Sequence, residues 1–277
     1  MRVAVVRLGT DERVARIDGG SPKMLPFRTV PEALASAGSI SGLESIEGAD
    51  VPMHLALDFA PLLPMSARVF CIGHNYRGHI EEMGREIPDR PTVFSKFGTS
   101  LLGSNDDLCL SSASTMWDWE IELAVVLGAG APAIEQPRDA GRAIAGFAVS
   151  NDVTARDLQR QSSQWFLAKS FDAVTPLGPF LVTTDEVGDG SGLELTCTVD
   201  GEVMQRGSTS DLVFSPAELV FYLSRHTRLI PGDVILTGTP SGVGAGRSPE
   251  VYLDAGQTLH SEITGLGSCS NRCVEAS

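Results

Sequence analysis

A chain of 277 residues, 42% hydrophobic and 20% charged, can bury a sizeable core in one large domain or in one domain with a small appendage. A net charge of −14 argues against nucleic acid or an anionic membrane as partner, because phosphate binding needs a basic surface, yet a few converging Lys or Arg can still hold a small anion. MRVAVVRLGTDERV lacks the apolar stretch and cleavage site of a signal peptide, and no run approaches the ~20 apolar residues of a membrane span, so a cytoplasmic protein is expected.

Residues 1–65 read as a small N-terminal domain and residues 66–277 as the main one. In the first part, Arg2 to Leu8 and Val14 to Ile17 suggest a strand pair about the GTDE turn, and Thr29 caps a helix beginning at VPE. In the second, Arg68 to Ile72 is a strand ending at Gly73. His79 to Gly84 is a short helix in a polar loop, Trp119 to Leu127 a long strand, and Ala140 to Val149 a further apolar run ending at SND. LELTCTVDGEVMQRGST alternates on both sides of Asp200-Gly201, a hairpin signal. SPAELVFYLSRHTRL opens a helix with Ser215 as N-cap, Pro216 at its first position and Glu218 at its third. PGDVILTGTP is turn, strand, turn. The pattern is α+β and β-rich, without the period of a doubly wound sheet. The five cysteines, odd in number and mostly isolated, read as reduced thiols.

Three stretches could carry chemistry. In WDWEIELAVVLG, Asp118, Glu120 and Glu122 alternate, so on a strand they share one face. That face is either solvated or, because the acids run into a segment apolar on both faces, a cation site that relieves their burial. Asp152, at the end of GFAVSND, is a third carboxylate or else the N-cap of the following helix. Three carboxylates without His or Cys partners favour a hard cation over Zn²⁺. In GHNYRGHIEEMG, His79 and Glu82 stand at i, i+3, as a surface ion pair or as a base dyad toward water, on a glycine-flanked segment that could act as a lid. In FLAKSFD, Lys169 lies among apolar residues, either snorkelling or facing an anion, with Arg156 and Gln159 one turn apart nearby. TGTPSGVGAG is glycine-rich but lacks the G-K-[ST] ending of a nucleotide loop; its amides and Thr239 could hold a small carboxylate.

Taken together, GHNYRGHIEEMG, DWEIELAVVLG, SNDVTARDLQ, LAKSFD, GEVMQRGSTSDLVFSP and PGDVILTGTPSGVG resemble, in order, the motifs of the fumarylacetoacetate hydrolase family, over about Arg68 to Gly246. The resemblance is to its acylpyruvase and fumarylpyruvate hydrolase branch. It implies a mixed β-sheet roll, a homodimer, and Mg²⁺ held by Glu120, Glu122 and Asp152, with Mn²⁺ or Ca²⁺ as alternatives. It also implies catalytic roles for His79, Glu82 and Lys169, and substrate contacts from Tyr76, Arg156, Gln159 and Thr239. The expected substrate is a 2-oxo or 2,4-dioxo acid, and the expected reaction is hydrolysis of a C–C bond that releases a pyruvate enolate. Oxaloacetate decarboxylation and 2-hydroxyhepta-2,4-diene-1,7-dioate isomerisation share that enolate and are the alternatives. His74 departs from the family, in which that position is often basic.

Overall fold

The computed structural model describes residues 1–17, 22–51, 57–128 and 136–276. Its organising element is the apolar run Ile121–Leu127, a strand buried along its whole length. Period-two geometry sends Ile121, Leu123, Val125 and Leu127 into one hydrophobic layer and Ala124 and Val126 into another, so the sheet is covered on both faces. Strand Ile144–Asn151 pairs antiparallel to it on one side, with Ile121 opposite Asn151. Strand Val234–Leu236 pairs antiparallel on the other side and is itself parallel to Arg68–Gly73, which pairs with Thr92–Phe97 at the sheet edge.

These registers place the start of Ile121–Leu127 beside the ends of Ile144–Asn151, Val234–Leu236 and Arg68–Gly73. Chain segments leaving the sheet at that rim carry every chemical motif singled out above. A second, five-stranded sheet backs the same core, built from Glu194–Val199, Glu202–Ser208, Thr258–Ile263, Gly267–Glu275 and Leu108–Leu110. The hairpin in it turns at Asp200 (φ 49°) and Gly201 (φ 82°), the two left-handed residues that a tight turn between right-twisted strands requires. Helix Pro216–Ser224 has the expected capping box, with Ser215 accepting from the Glu218 N–H and the Glu218 carboxylate accepting from the Ser215 N–H.

Strand Arg2–Leu8 pairs with Asp11–Arg16 and also with Thr175–Thr183, through Arg2 opposite Val182 and Val3 opposite Leu181. The described strands of residues 1–65 therefore extend the main sheet, and Val3, Val5 and Val14 share a hydrophobic cluster with Ala124, Val126 and Leu236. The division at residue 65 is not a division between sheets. Thr29 caps helix Val30–Ala37 as expected.

Two expected elements differ. The short helix of the GHNYRGHIEEMG loop spans Arg77–Glu82 rather than 79–84, with Tyr76 at its N-cap. The long strand begins at Ile121, not Trp119, and Trp117–Asp118 is a separate short strand paired with Thr154–Ala155. The break has a specific cause: three consecutive amides bond to side chains instead of a neighbouring strand. Trp119 N–H donates to Asp118 Oδ1 (2.8 Å), Glu120 N–H to Asn151 Oδ1 (2.8 Å) and Ile121 N–H to Gln205 Oε1 (3.0 Å). Among the described residues, no helix is long and apolar enough to cross a membrane, and Cys71, Cys109, Cys197, Cys269 and Cys273 are all free thiols.

Candidate active site

Glu120, just before its strand, and Asp152, just after the neighbouring one, are drawn together by the ladder; Asp152 N–H donates to the Glu120 carbonyl at 2.8 Å. Glu122 joins them from one pleat further on. One oxygen from each of the three carboxylates lies within 4.8 Å of the others, and all three are buried. Asp152 does not cap the next helix, whose N-cap is Ala155. Asp118 stands apart from the trio: its carboxylate accepts from Gly244 N–H (2.7 Å), Ala245 N–H (2.9 Å) and Arg156 Nε (2.7 Å).

Buried carboxylates need partners. Lys169 Nζ, on the short helix Phe166–Lys169, lies 2.6 Å from Glu120 Oε2 and 2.5 Å from Asp152 Oδ2. Lys96 Nζ lies 2.7 Å from Asp152 Oδ1 and is itself buried. Arg156 Nη1 lies 2.7 Å from Glu120 Oε1. Burial acts against ionisation of Glu120, but Lys169 and Arg156 outweigh it and hold the carboxyl at about 2. Burial weakens the Lys169 ammonium less than Asp152 and Glu120 strengthen it, so the amine is held firmly protonated.

Glu122 is the exception. Among the described residues it makes no ion pair, and its carboxylate accepts one bond, from Gly238 N–H at 2.7 Å. Burial, then Asp152 and Glu120, push its carboxyl well above the usual range. Four buried acids (Asp118, Glu120, Glu122, Asp152) face three buried bases (Lys96, Lys169, Arg156), and the uncompensated charge falls on Glu122. An all-oxygen set of three carboxylates with one negative charge in excess fits a hard divalent cation.

Above this cluster, His79 Nδ1 lies 2.9 Å from Glu82 Oε2. Glu82 is held ionised: burial acts against it, but the bonds from His79 and from the Gly242 amide prevail and lower its carboxyl. An ionised carboxylate only accepts, so Nδ1 carries the proton, and in the neutral ring Nε2 is left as a base. Glu82 Oε1 accepts from Gly242 N–H at 2.8 Å, which fastens the Arg77–Glu82 helix to the glycine loop. The amides of that loop are thus taken up by the protein's own acids: Gly238 by Glu122, Gly242 by Glu82, Gly244 and Ala245 by Asp118.

His79, Glu120, Glu122, Lys169, Arg156, Gln159 and Thr239 all line one cavity of about 430 Å³. Arg156 donates from Nη1 to Gln159 Oε1 (2.9 Å), and its buried Nη2 has no hydrogen-bond partner among the described residues. Tyr76 does not line this cavity. It is fully buried, its hydroxyl is likewise without a partner among the described residues, and burial, then the Glu122 charge, raises it. His74 sits on the wall in a left-handed conformation (φ 55°), edge-on to Trp165 with ring centroids 5.5 Å apart. Burial, then Arg85 and His79, bring its ring down to about 4, so it is neutral. Sequence reasoning missed Lys96, Asn151 and Gln205. Lys96 carried the same signal as Lys169, a lysine in an apolar stretch (TVFSKF); Asn151 and Gln205 carried none, because their task is to satisfy backbone amides brought in from other strands.

The motif order, the sheet topology and this carboxylate cluster agree with the sequence comparison. The chain belongs to the fumarylacetoacetate hydrolase family; the family model for the fumarylacetoacetate (FAA) hydrolase C-terminal region matches residues 68–274. Its relatives are enzymes of that family. It is 45% identical over 209 residues to an oxaloacetate tautomerase, FAHD2A, mitochondrial, of Bos taurus, an alignment covering 75% of this chain and 66% of the relative. Among solved structures it resembles the 5-carboxymethyl-2-hydroxymuconate delta-isomerase of Mycobacterium smegmatis, at TM-score 0.81 and 30% identity over 100% of both chains. It also resembles the fumarylpyruvate hydrolase of Pseudomonas aeruginosa, solved in complex with Mn²⁺ and pyruvate, at TM-score 0.68 and 34% identity, covering 80% of this chain and 94% of that one.

Proposed function

We propose that the protein is a divalent-cation-dependent hydrolase that cleaves a C–C bond in 2,4-dioxo acids of the acylpyruvate type. The observation that carries this reading is the His79–Glu82 pair, whose histidine lies on the wall of a cavity that also presents Glu120 and Glu122, two of the three clustered carboxylates. Glu120, Glu122 and Asp152 would hold the cation, Mg²⁺ or Mn²⁺, which when bound supplies Lewis-acid polarisation of a 2-oxo carboxylate.

The chain's own residues account for the rest. His79 Nε2 takes a proton from water, and Glu82 stabilises the imidazolium that forms. The water oxygen adds to the distal carbonyl carbon. The bond from that carbon to the methylene breaks with its electron pair on the methylene, giving an acid and the enolate of pyruvate. Lys169 and Arg156 offset the developing negative charge, and the methylene regains a proton to complete pyruvate. Thr239, Gln159 and Arg156 Nη2 supply donors for the substrate's carboxylate. The homodimer, the cytoplasmic location and the two-part division at residue 65 belong to the same reading.

A second reading is keto–enol tautomerisation of oxaloacetate, favoured by the 45% identity to the bovine tautomerase. The same base would then move a proton to and from the substrate's methylene, with no water added. The test follows enol absorbance of acylpyruvates, fumarylpyruvate and oxaloacetate with Mn²⁺ and then EDTA, while pyruvate is assayed in parallel. Stoichiometric pyruvate from a dioxo acid, stopped by EDTA, supports hydrolysis. Loss of oxaloacetate enol without pyruvate or CO₂ supports tautomerisation and overturns the first reading.

A further inference from the structure

We infer that Gln205 is a positioning residue that fixes the Thr239 hydroxyl as a hydrogen-bond donor to a carboxylate of the substrate; this rests on the 2-oxo acid reading of the site. Gln205 belongs to strand Glu202–Ser208 of the second sheet and is 1% exposed. Its side-chain amide has three partners. Oε1 accepts from Ile121 N–H at 3.0 Å, while Nε2 donates to the Pro240 carbonyl at 2.8 Å and to Thr239 Oγ1 at 2.8 Å.

Two of those partners allow no choice. A backbone N–H only donates and a backbone carbonyl only accepts, so Ile121 demands the oxygen of the amide and Pro240 demands its nitrogen. The orientation of the amide is thereby settled without reference to Thr239. Its second N–H must then point at Thr239 Oγ1, and Thr239 must accept it. A hydroxyl that accepts in this way keeps its own proton for another partner. No acceptor for that proton is recorded among the described residues, and Thr239 lines the cavity together with Lys169 and Arg156. The proton is therefore available to an anion bound there. Lysine and arginine at the same cavity give that anion its charge class, and a carboxylate is the anionic group a 2-oxo acid brings.

Gln205 also joins two parts of the site. Ile121 stands between Glu120 and Glu122, and Thr239-Pro240 begins the glycine loop, so one amide from the opposite sheet sets the spacing of carboxylate strand and substrate loop. Glutamate has nearly the same shape and inverts the polarity: it can accept from Ile121 N–H but draws the Thr239 proton onto itself and away from the cavity.

The test measures binding of oxalate and pyruvate to Mn²⁺-loaded protein by calorimetry, for wild type, Thr239→Val, Thr239→Ser, Gln205→Glu and the double variant Gln205→Glu/Thr239→Val. Melting temperature and Mn²⁺ affinity are the folding controls. Loss of one hydrogen bond to a charged group predicts that Thr239→Val and Gln205→Glu each weaken oxalate about tenfold to a hundredfold. Thr239→Ser should retain binding, and the double variant should be no weaker than Thr239→Val alone, because both changes remove the same donor. Additive losses in the double variant, or wild-type oxalate affinity in folded Gln205→Glu, would overturn the inference. Should Gln205→Glu fail to fold, wild-type affinity in Thr239→Val overturns it equally. A wild-type protein that binds Mn²⁺ but neither oxalate nor pyruvate is a different outcome, one that removes the 2-oxo acid reading itself.

Discussion

Replacing Glu122 by Gln separates the cost of the carboxylate cluster from its use. The Glu122 carboxylate is buried, accepts a single backbone bond, and has an oxygen within 4.8 Å of those of Glu120 and Asp152. At that separation and an effective dielectric near 20, each like-charged neighbour costs about 3.5 kcal/mol. Lys169, bonded to both neighbours, offsets much of this, so a net penalty of roughly 1–3 kcal/mol for ionised Glu122 is expected. The sign follows from linkage. The folded state holds the Glu122 proton more tightly than the unfolded chain, so its contribution to stability falls as pH rises above the ordinary value near 4.5. Glu120 works in the opposite sense: held at about 2, it contributes stability that is complete above about 4.5 and lost below. Above pH 5 the Glu120 slope is gone, and the opposite slope from His74, held at about 4 against an ordinary 6.5, is common to wild type and variant and cancels from their difference, which leaves Glu122. In EDTA, Glu122→Gln should therefore melt higher than wild type at pH 8, by about 2–4 °C per kcal/mol, with the gap closing toward pH 5. Mn²⁺ at a hundred times its Kd should add about 2.7 kcal/mol to the wild type and far less to the variant. Calorimetric melting across pH 5–8, with EDTA and with Mn²⁺, reads all three. A variant that melts below wild type in EDTA at pH 8, or a gap independent of pH, would refute the charge accounting.

His79→Ala should lower hydrolysis of an acylpyruvate by roughly 10²–10⁴-fold while leaving oxalate binding in place, and should slow oxaloacetate decarboxylation much less; parallel loss of both activities would remove the water-activating role. Lys96→Met leaves Asp152 with Lys169 as its only ammonium partner among the described residues, and breaking a buried pair in this way should cost about 3–5 kcal/mol in urea unfolding, whereas a change under 1 kcal/mol would mean that Lys169 suffices. Gly201→Ala, at φ 82° in the hairpin turn, should cost roughly 1–2 kcal/mol without altering kcat, since the turn lies in the second sheet away from the cavity.

The elements most legible in the sequence were those whose signals are local. Ser215-Pro216 with Glu218, Thr29 before VPE, and Asp200-Gly201 between alternating runs each state their own geometry within four residues, and each forms as expected. The alternation of Glu120 and Glu122 also survives in effect, because both carboxylates reach the one cluster even though Glu120 stands just outside the strand. Asp118 breaks the pattern for a non-local reason: Arg156 and the amides of Gly244 and Ala245 claim it, and the chain steps out of the sheet between Asp118 and Ile121. That step depends on Asn151 and Gln205, which lie 31 and 84 residues from their amide partners. No window of sequence contains such pairs. The strand pairing of Arg2–Leu8 with Thr175–Thr183, which makes the N-terminal segment part of the main sheet, was hidden for the same reason.

The glycine loop between Gly238 and Ala245 has a wider consequence. Glycine-rich turns expose amides that elsewhere recruit phosphate; here three carboxylates, two from the Asp118–Glu122 stretch and one from the Arg77–Glu82 helix, occupy them. The loop is accordingly a junction at which that helix, the cation cluster and Arg156 are all registered against one short length of backbone. The helix cannot swing outward without freeing the Gly242 amide, nor can Arg156 shift without disturbing the carboxylate that holds Gly244 and Ala245. Outward motion of that helix would thus be felt at the Gly242 amide and a shift of Arg156 at those of Gly244 and Ala245, and hydrogen exchange at those few amides would serve as the gauge.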